Sequence, residues 1–442
     1  MAYSPFLGPY QPHHTVAWYN GKCMSASMVL SHVRFMCDQL PHKRYVVNMC
    51  QDRYGFLIGL AAALCRNQTT LLPPNQSPEI LEQLTHEYPD CYFLTDGPEP
   101  IVGAEGLTLD IDSIPDRAPM ENPQFPDTHL AAIAFTSGTT GTPRPNLKSW
   151  GSIVQIAQKT GERLVLAQND SVTIVATVPH QHMYGLETSI MLPLQRGWAI
   201  YSGRPFFPED IASVLSEQPS QRILVSTPIH LRACILAQSR FPEVKYTLSA
   251  TAPLPKPVAT QVETLFHTTI VEIYGFAEAG TIATRRPVQE DPWTLLSDLT
   301  LASDGQGYAV STPYFAEPVP IPDTIQSTNL KQFTLEGRPN HLINIGGHRA
   351  SLDALNVQLL SIDGVIDGTF YMPKEREESV TRLVAFVVAP GKTTESILAA
   401  LRNKIAPVFL PRPIYLVETL PRNHTGKLLK EDVDKLLVTP QS

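Results

Sequence analysis

Ala134-Phe-Thr-Ser-Gly-Thr-Thr-Gly-Thr-Pro-Arg144 is the stretch of this sequence with the most evident chemistry. Hydroxyl side chains alternate with glycines after an apolar run, so backbone N–H groups and hydroxyls can converge on an anion. It is not a GxxxxGK[ST] phosphate loop, because no Lys-Ser/Thr follows at the required position, and an ordinary Ser/Thr/Gly turn shares its composition. Pro179-His-Gln-His-Met-Tyr-Gly185 gathers imidazoles and an aromatic ring. Ile273-Tyr-Gly-Phe-Ala-Glu278 sets a carboxylate after a glycine turn, and Leu420-Pro-Arg-Asn-His-Thr-Gly-Lys427 ends on an ammonium. Each alone also fits a plainer role: a satisfied buried histidine, a solvated acid, a surface lysine.

The elements that must position these groups alternate in kind. Short apolar runs bounded by Pro, Gly, Asn or Asp predict strands at Arg44–Met49, His129–Phe135, Ser171–Val178 and Arg222–Ser226. Their near-continuous apolar character suits strands buried on both faces. Pro208–Leu215 opens with Pro and two acids, which predicts a helix. Phe56–Cys65 is a ten-residue apolar run, half the length a bilayer span needs, and predicts a buried helix. Such alternation implies an α/β domain of sheets sandwiched by helices. Beyond Pro339 the texture changes: a capped helix over Ser351–Leu360, a strand over Val380–Val388, a helix over Thr394–Ile405 and a strand over Pro413–Glu418. These make a small α+β unit, with the boundary in Gly337-Arg-Pro-Asn-His341, so the expected domains are 1–339 and 340–442.

Composition narrows the function classes. The 442 residues are 43% hydrophobic and only 17% charged, too apolar for a disordered chain. Forty prolines and 25 glycines are dispersed, which excludes collagen-like or Pro-rich linker character. A formal charge of −8, with no Lys/Arg run longer than two, argues against a nucleic-acid partner. The six cysteines lack CxxC or Cys/His spacing and read as reduced core thiols. No membrane span or signal segment is visible, and a cytoplasmic location is expected.

Taken together and in order, the stretches carry a resemblance. Thr-Ser-Gly-Thr-Thr-Gly-x-Pro resembles the phosphate loop of the adenylate-forming superfamily: acyl-CoA and aryl-CoA synthetases, peptide-synthetase adenylation domains and luciferases. The resemblance implies that Thr136, Ser137, Gly138, Thr139, Thr140 and Gly141 cradle the leaving β/γ-phosphates. Ala250 and Thr251, in Ser249-Ala-Thr-Ala-Pro-Leu254, are implied to lie beside adenine. Tyr274 and Gly275 match the family's Tyr-Gly-x-Thr-Glu, with the ring stacked on adenine and Glu278 holding Mg²⁺ beside Thr139. Asp323 precedes Arg338 by 15 residues and Arg338 precedes Arg349 by 11, the spacing of the ribose-binding acid and the hinge segment. Asn340 takes the hinge position, Gly346 and Gly347 the passage for a pantetheine arm, and Lys427 the position of the catalytic lysine. Glu278, Arg349 and Lys427 are the implied catalytic residues. Four departures stand out: a reduced length between Glu278 and Asp323, Ala277 where Thr is usual, Asn340 where Asp or Lys is usual, and Arg144-Pro-Asn where Lys-Gly is usual. Arg144 keeps the positive charge.

The implied reaction joins a carboxylate to AMP from ATP and passes the acyl group to a thiol, with the small domain rotating between the half-reactions. Pocket candidates are His182, Met183, Tyr184, the stretch from Ser226 to Leu231, and the stretch from Ser249 to Ala252. Their aromatic and polar surfaces favour an aryl acid, of hydroxybenzoate or hydroxycinnamate type, or a medium acyl acid. The short length is similar to that of the compact ligases found beside aryl-polyene clusters. Expected ligands are ATP, Mg²⁺, the acid, and CoA or the phosphopantetheine of an acyl carrier protein. A degenerate adenylate-binding scaffold is the alternative of another class.

Overall fold

A computed structural model describes residues 2–97, 105–136, 144–166, 171–218, 221–237, 239–289, 292–303, 305, 307–337, 342–345, 348–373, 383–422, 428 and 430–438. The apolar runs become strands because each buries both faces: all residues of Thr69–Leu72 and Val172–Ala176 are buried. A six-stranded sheet runs in the order Arg144–Ser149, Leu130–Thr136, Thr69–Leu72, Tyr45–Asn48, Cys91–Thr95 and Gly106–Thr108. All its pairings are parallel except the first.

A second, eleven-stranded sheet has the parallel centre Thr15–Tyr19, Ala199–Tyr201, Val172–Ala176, Gln221–Ser226, Tyr246–Ser249 and Thr269–Phe276. Antiparallel strands extend it on both sides: Lys22–Ser25 at one edge, and Gly280–Arg285, Trp293–Leu295, Gln332–Gly337 and Thr324–Asn329 at the other. The expected apolar helix is Arg53–Cys65. Asp52 caps it by accepting from the N–H groups of Tyr54 and Gly55, and every residue but Cys65 is buried. Its first residue is the fully buried Arg53, whose guanidinium donates to Ser189 Oγ and to the carbonyls of Ala176, Val178 and Gly203. The arginine thus ties the helix to the end of a central strand. No helix among the described residues is long and apolar enough to cross a membrane.

The smaller C-terminal domain has its own core. Its sheet is Asp367–Tyr371, Val384–Val388 and Ile414–Leu416, and its apolar clusters share no member with those of the larger α/β domain. Ser351 caps Leu352–Leu360 as expected. The helix expected through Ile405 stops at Arg402, where the N–H groups of Lys404 and Ile405 turn back onto the Leu401 carbonyl ahead of Pro407.

Burial also sets a pH dependence. His32, His129, His180 and His230 are all pushed below the ordinary imidazole value by desolvation, His230 to about 4. Between pH 6.5 and about 4 the unfolded chain therefore takes up a proton at His230 that the folded chain refuses, so this group makes stability fall as pH falls. Buried Glu187 and Glu272, raised by desolvation, act in the opposite sense as they protonate. His230→Asn is expected to lose less Tm than the wild type between pH 7 and 5, as measured by calorimetry. An identical slope would contradict this.

Candidate functional site

The site residues gather at the carboxyl ends of parallel strands, where open α/β sheets bind ligands. Thr136 ends one strand of the first sheet and pairs directly with Arg144 on its antiparallel neighbour, so the ends of the hydroxyl-rich stretch lie side by side. Ser137, Gly138, Thr139, Thr140 and Gly141 lie outside the described residues. In the second sheet, Ser226, Ser249 and the Tyr274–Phe276 segment end successive strands.

On one side of these ends stand the groups expected to meet a nucleotide. The Tyr274 hydroxyl donates to Asp323 Oδ2 at 2.5 Å, joining residues 49 positions apart. Its ring is held against Trp293 and Phe333, with centroids 5.5 and 5.7 Å away. Ala250 is buried, and Thr251 beside it is exposed with φ of +77°. A β-branched residue rarely accepts that left-handed conformation, and such strain concentrates at binding sites. The loop is anchored by Glu272, which accepts from Leu254 N–H at 2.8 Å and pairs with Arg285 at 2.7 Å. Gly275 is required sterically, since a Cβ there would meet the Gly280 carbonyl oxygen at 2.3 Å.

On the other side lies a narrow cavity walled by His182, Tyr184, Gly185, Thr227, His230 and Thr251. The Tyr184 hydroxyl is shared between the carbonyls of Ser226 and Leu248, at 3.0 and 3.1 Å, and burial pushes its pKa up. His230 Nδ1 is 2.9 Å from Thr227 Oγ1, and Phe206 lies edge-on against its ring. Of the expected pocket residues, His182, Tyr184, Thr227, His230 and Thr251 line this cavity. Met183 packs against the main apolar core. Ser226 turns its hydroxyl to Thr177 at 3.0 Å, and Ser249 is fully buried. Ala252 is half-buried in the loop after Thr251. Thr227 and His230, both within the expected Ser226–Leu231 stretch, complete this wall.

Glu278 follows the Tyr274–Phe276 strand end with its carboxylate exposed and without a hydrogen bond or ion pair among the described residues. Its backbone carbonyl accepts from the buried Lys148 ammonium at 2.8 Å. One oxygen of the buried Glu187 carboxylate accepts from the N–H and hydroxyl of Thr281, just beyond Glu278. Sequence reasoning missed both of these charged residues. The available signals were a lysine at an inward position of a strand and a lone acid inside the apolar run Leu186-Glu-Thr-Ser-Ile-Met-Leu192. Among the described residues no cluster of three His, Cys, Asp or Glu could form an all-protein metal cage. A single presented carboxylate is the donor set expected where a hard divalent ion is shared with phosphate oxygens.

Comparison with known proteins adds an independent line. Residues 43–321 match the AMP-binding enzyme family, and residues 368–427 match the AMP-binding enzyme C-terminal domain. The chain belongs to the AMP-binding enzyme family. Among its relatives is a 4-coumarate–CoA ligase of Rhodobacter capsulatus, 27% identical over 273 residues, which are 62% of this chain and 67% of the relative. A 4-coumarate–CoA ligase of Halorhodospira halophila is 28% identical over 316 residues, 68% of this chain and 75% of that one. In fold, the chain is similar to the o-succinylbenzoate CoA synthetase of Bacillus subtilis solved with ATP and magnesium ion. The TM-score is 0.81 at 16% identity, covering 98% of this chain and 100% of that one.

The remaining expected residues of this AMP-binding enzyme belong to its C-terminal part. Arg338, Asn340, Gly346, Gly347 and Lys427 lie outside the described residues. Arg349 sits on His348–Ser351, with its backbone paired to Asn344. The backbones of Arg422 and Leu428 form an antiparallel bridge. Arg422 is fixed in turn by a bidentate pair with Asp367, at 2.6 and 2.7 Å. A cleft of about 260 Å³ between Asp363, Lys392 and Lys404 also belongs to this domain and contains none of the expected site residues.

Proposed function

We propose that this AMP-binding enzyme activates a carboxylic acid with ATP and transfers the acyl group to the thiol of CoA. The observation that carries the reading is the Tyr274–Asp323 hydrogen bond. It sets an aromatic ring and a carboxylate side by side, as adenine and ribose recognition requires, next to a turn that presents Glu278. The CoA ligases among the relatives support it.

In the first half-reaction a carboxylate oxygen bonds to the α-phosphorus of ATP, and the bond to pyrophosphate breaks. In the second, the CoA sulfur attacks the acyl carbon and AMP leaves with that oxygen. Two anions meet in the first step, so the residues must supply positive charge and donors where charge accumulates. The Thr136–Gly141 stretch, ending at Arg144, would hold the departing phosphates. Lys427 would bridge the two reacting groups, and Arg349 completes the catalytic set. Glu278 with Thr139 would hold Mg²⁺, which when bound neutralises phosphate charge. We take 1–339 as the nucleotide-binding domain and 340–442 as the mobile one, turning at Asn340 so that Gly346 and Gly347 meet the thiol arm.

The cavity supports an aryl or medium acyl acid rather than an amino acid: imidazoles, a phenol and two threonines line it, with no carboxylate to hold an ammonium among the described residues. Six free cysteines support a reducing, cytoplasmic setting. Trapping acyl-adenylate with hydroxylamine, across aryl, acyl and amino acids with ATP and Mg²⁺, tests the reading. A hydroxamate with an aryl or acyl acid is expected; none with any acid would favour the non-catalytic scaffold.

Tyr274→Phe keeps the ring and removes the bond to Asp323. Hydrogen bonds to charged groups contribute about 1.5–3 kcal/mol, so the KM for ATP is expected to rise roughly tenfold, with a smaller change in kcat, in steady-state kinetics. An unchanged KM would detach the pair from the nucleotide.

A further inference from the structure

Lys148 and Glu187 have only 4% and 3% of their surfaces exposed, and the reaction drawn above gives neither a part. Lys148 lies on Arg144–Ser149, the strand leading away from the hydroxyl-rich stretch, and reaches the Glu278 carbonyl at 2.8 Å. Glu187 lies in a π-helical turn, Leu186–Met191, directly after the His182–Gly185 wall of the cavity. The wider turn is a local irregularity often found at functional sites.

Glu187 Oε2 accepts from Thr281 N–H at 2.9 Å and from the Thr281 hydroxyl at 2.6 Å. Its Oε1 has no hydrogen-bond partner among the described residues. That oxygen presses on Gly280, where a Cβ would stand 2.2 Å from it and where φ is +79°. Only glycine allows the approach. Burial lowers the Lys148 pKa and raises that of Glu187, and in each case the charge of the other group opposes the shift.

Buried charges are unfavourable unless compensated, and apolar residues in such places are often as stable. Here the two charges grip the ends of one turn, Glu278–Thr281. Each is carried by an element that leads out of a different part of the site.

We propose that Lys148 and Glu187 are positioning residues that hold the Glu278 turn in register with the phosphate-binding stretch and the acyl cavity, so that the carboxylate is presented before metal and nucleotide arrive. The inference rests on the metal-binding role proposed for Glu278. Removing outer partners of a metal ligand weakens metal affinity by about 10–100-fold.

The test compares the full-length chain with Lys148→Met, Lys148→Arg and Thr281→Val, the last removing only the hydroxyl that Glu187 accepts. Mn²⁺ affinity is read by electron paramagnetic resonance in the presence of ATP, and ATP affinity by calorimetry in EDTA. About tenfold weaker Mn²⁺ binding is expected in Lys148→Met, about threefold in Thr281→Val, and partial recovery in Lys148→Arg. ATP affinity in EDTA is expected to stay within about twofold in all of them. Wild-type Mn²⁺ affinity in Lys148→Met and Thr281→Val overturns the proposal, whatever their melting temperatures. If Lys148→Met does not fold, Thr281→Val decides by itself. A wild type that binds ATP but gains no Mn²⁺ site overturns the reading of Glu278, and the positioning role with it. The two failures are thereby distinguishable.

Discussion

Lys427→Ala is expected to slow acyl-adenylate formation by about 10²–10³-fold, the loss typical of removing one preorganised charge from a reacting centre. The acid and the α-phosphate are both anionic, and a cation between them lowers the cost of bringing them together more in the transition state than in either ground state. Thioester formation from synthetic acyl-adenylate and CoA is expected to change little, because the cation serves only the first half-reaction in this scheme. Lys427→Arg is not expected to rescue the first step, since a planar fork does not reproduce a compact ammonium. Rapid-quench measurement of pyrophosphate release, beside the thioester half-reaction, separates the two steps. Equal losses in both would contradict the assignment.

Glu278→Gln is expected to lower the same step by roughly 10²-fold and to raise the Mg²⁺ concentration needed for half-maximal rate. The substitution removes charge but hardly changes shape, and the turn should persist because Lys148 bonds to the residue's backbone carbonyl rather than to its carboxylate. The carboxylate is exposed and makes no hydrogen bond or ion pair among the described residues, so the loss falls on what it would bind rather than on folding. Titration of pyrophosphate release with Mg²⁺ checks this. A variant with wild-type rate and Mg²⁺ dependence would place the metal elsewhere.

How far the sequence could be read depended on whether a feature is local. The strands at Tyr45–Asn48, Leu130–Thr136, Val172–Ala176 and Gln221–Ser226 announce themselves because apolar runs between turn residues bury both faces. Tyr274 and Asp323 were legible through spaced motifs, and the structure brings them into contact. Lys148, Glu187 and Arg53 were not legible as site or core groups. What keeps them buried is a set of partners 130, 94 and more than 100 positions away, and no local pattern carries that information. The left-handed Thr251 is hidden for a similar reason: its own preferences disfavour the conformation, and the surrounding loop imposes it. The helix expected over Thr394–Ile405 ends three residues early, at Arg402: its apolar spacing continues, whereas the backbone turns back onto Leu401.

Oxygen tracing tests most directly whether this chain joins a carboxylate to AMP. With an aryl acid carrying ¹⁸O at both carboxylate oxygens, ATP, Mg²⁺ and CoA, mass spectrometry should find one ¹⁸O in the AMP released and one in the acyl-CoA carbonyl, beside unlabelled pyrophosphate. AMP free of label, or label in orthophosphate with ADP as the nucleotide product, would contradict it.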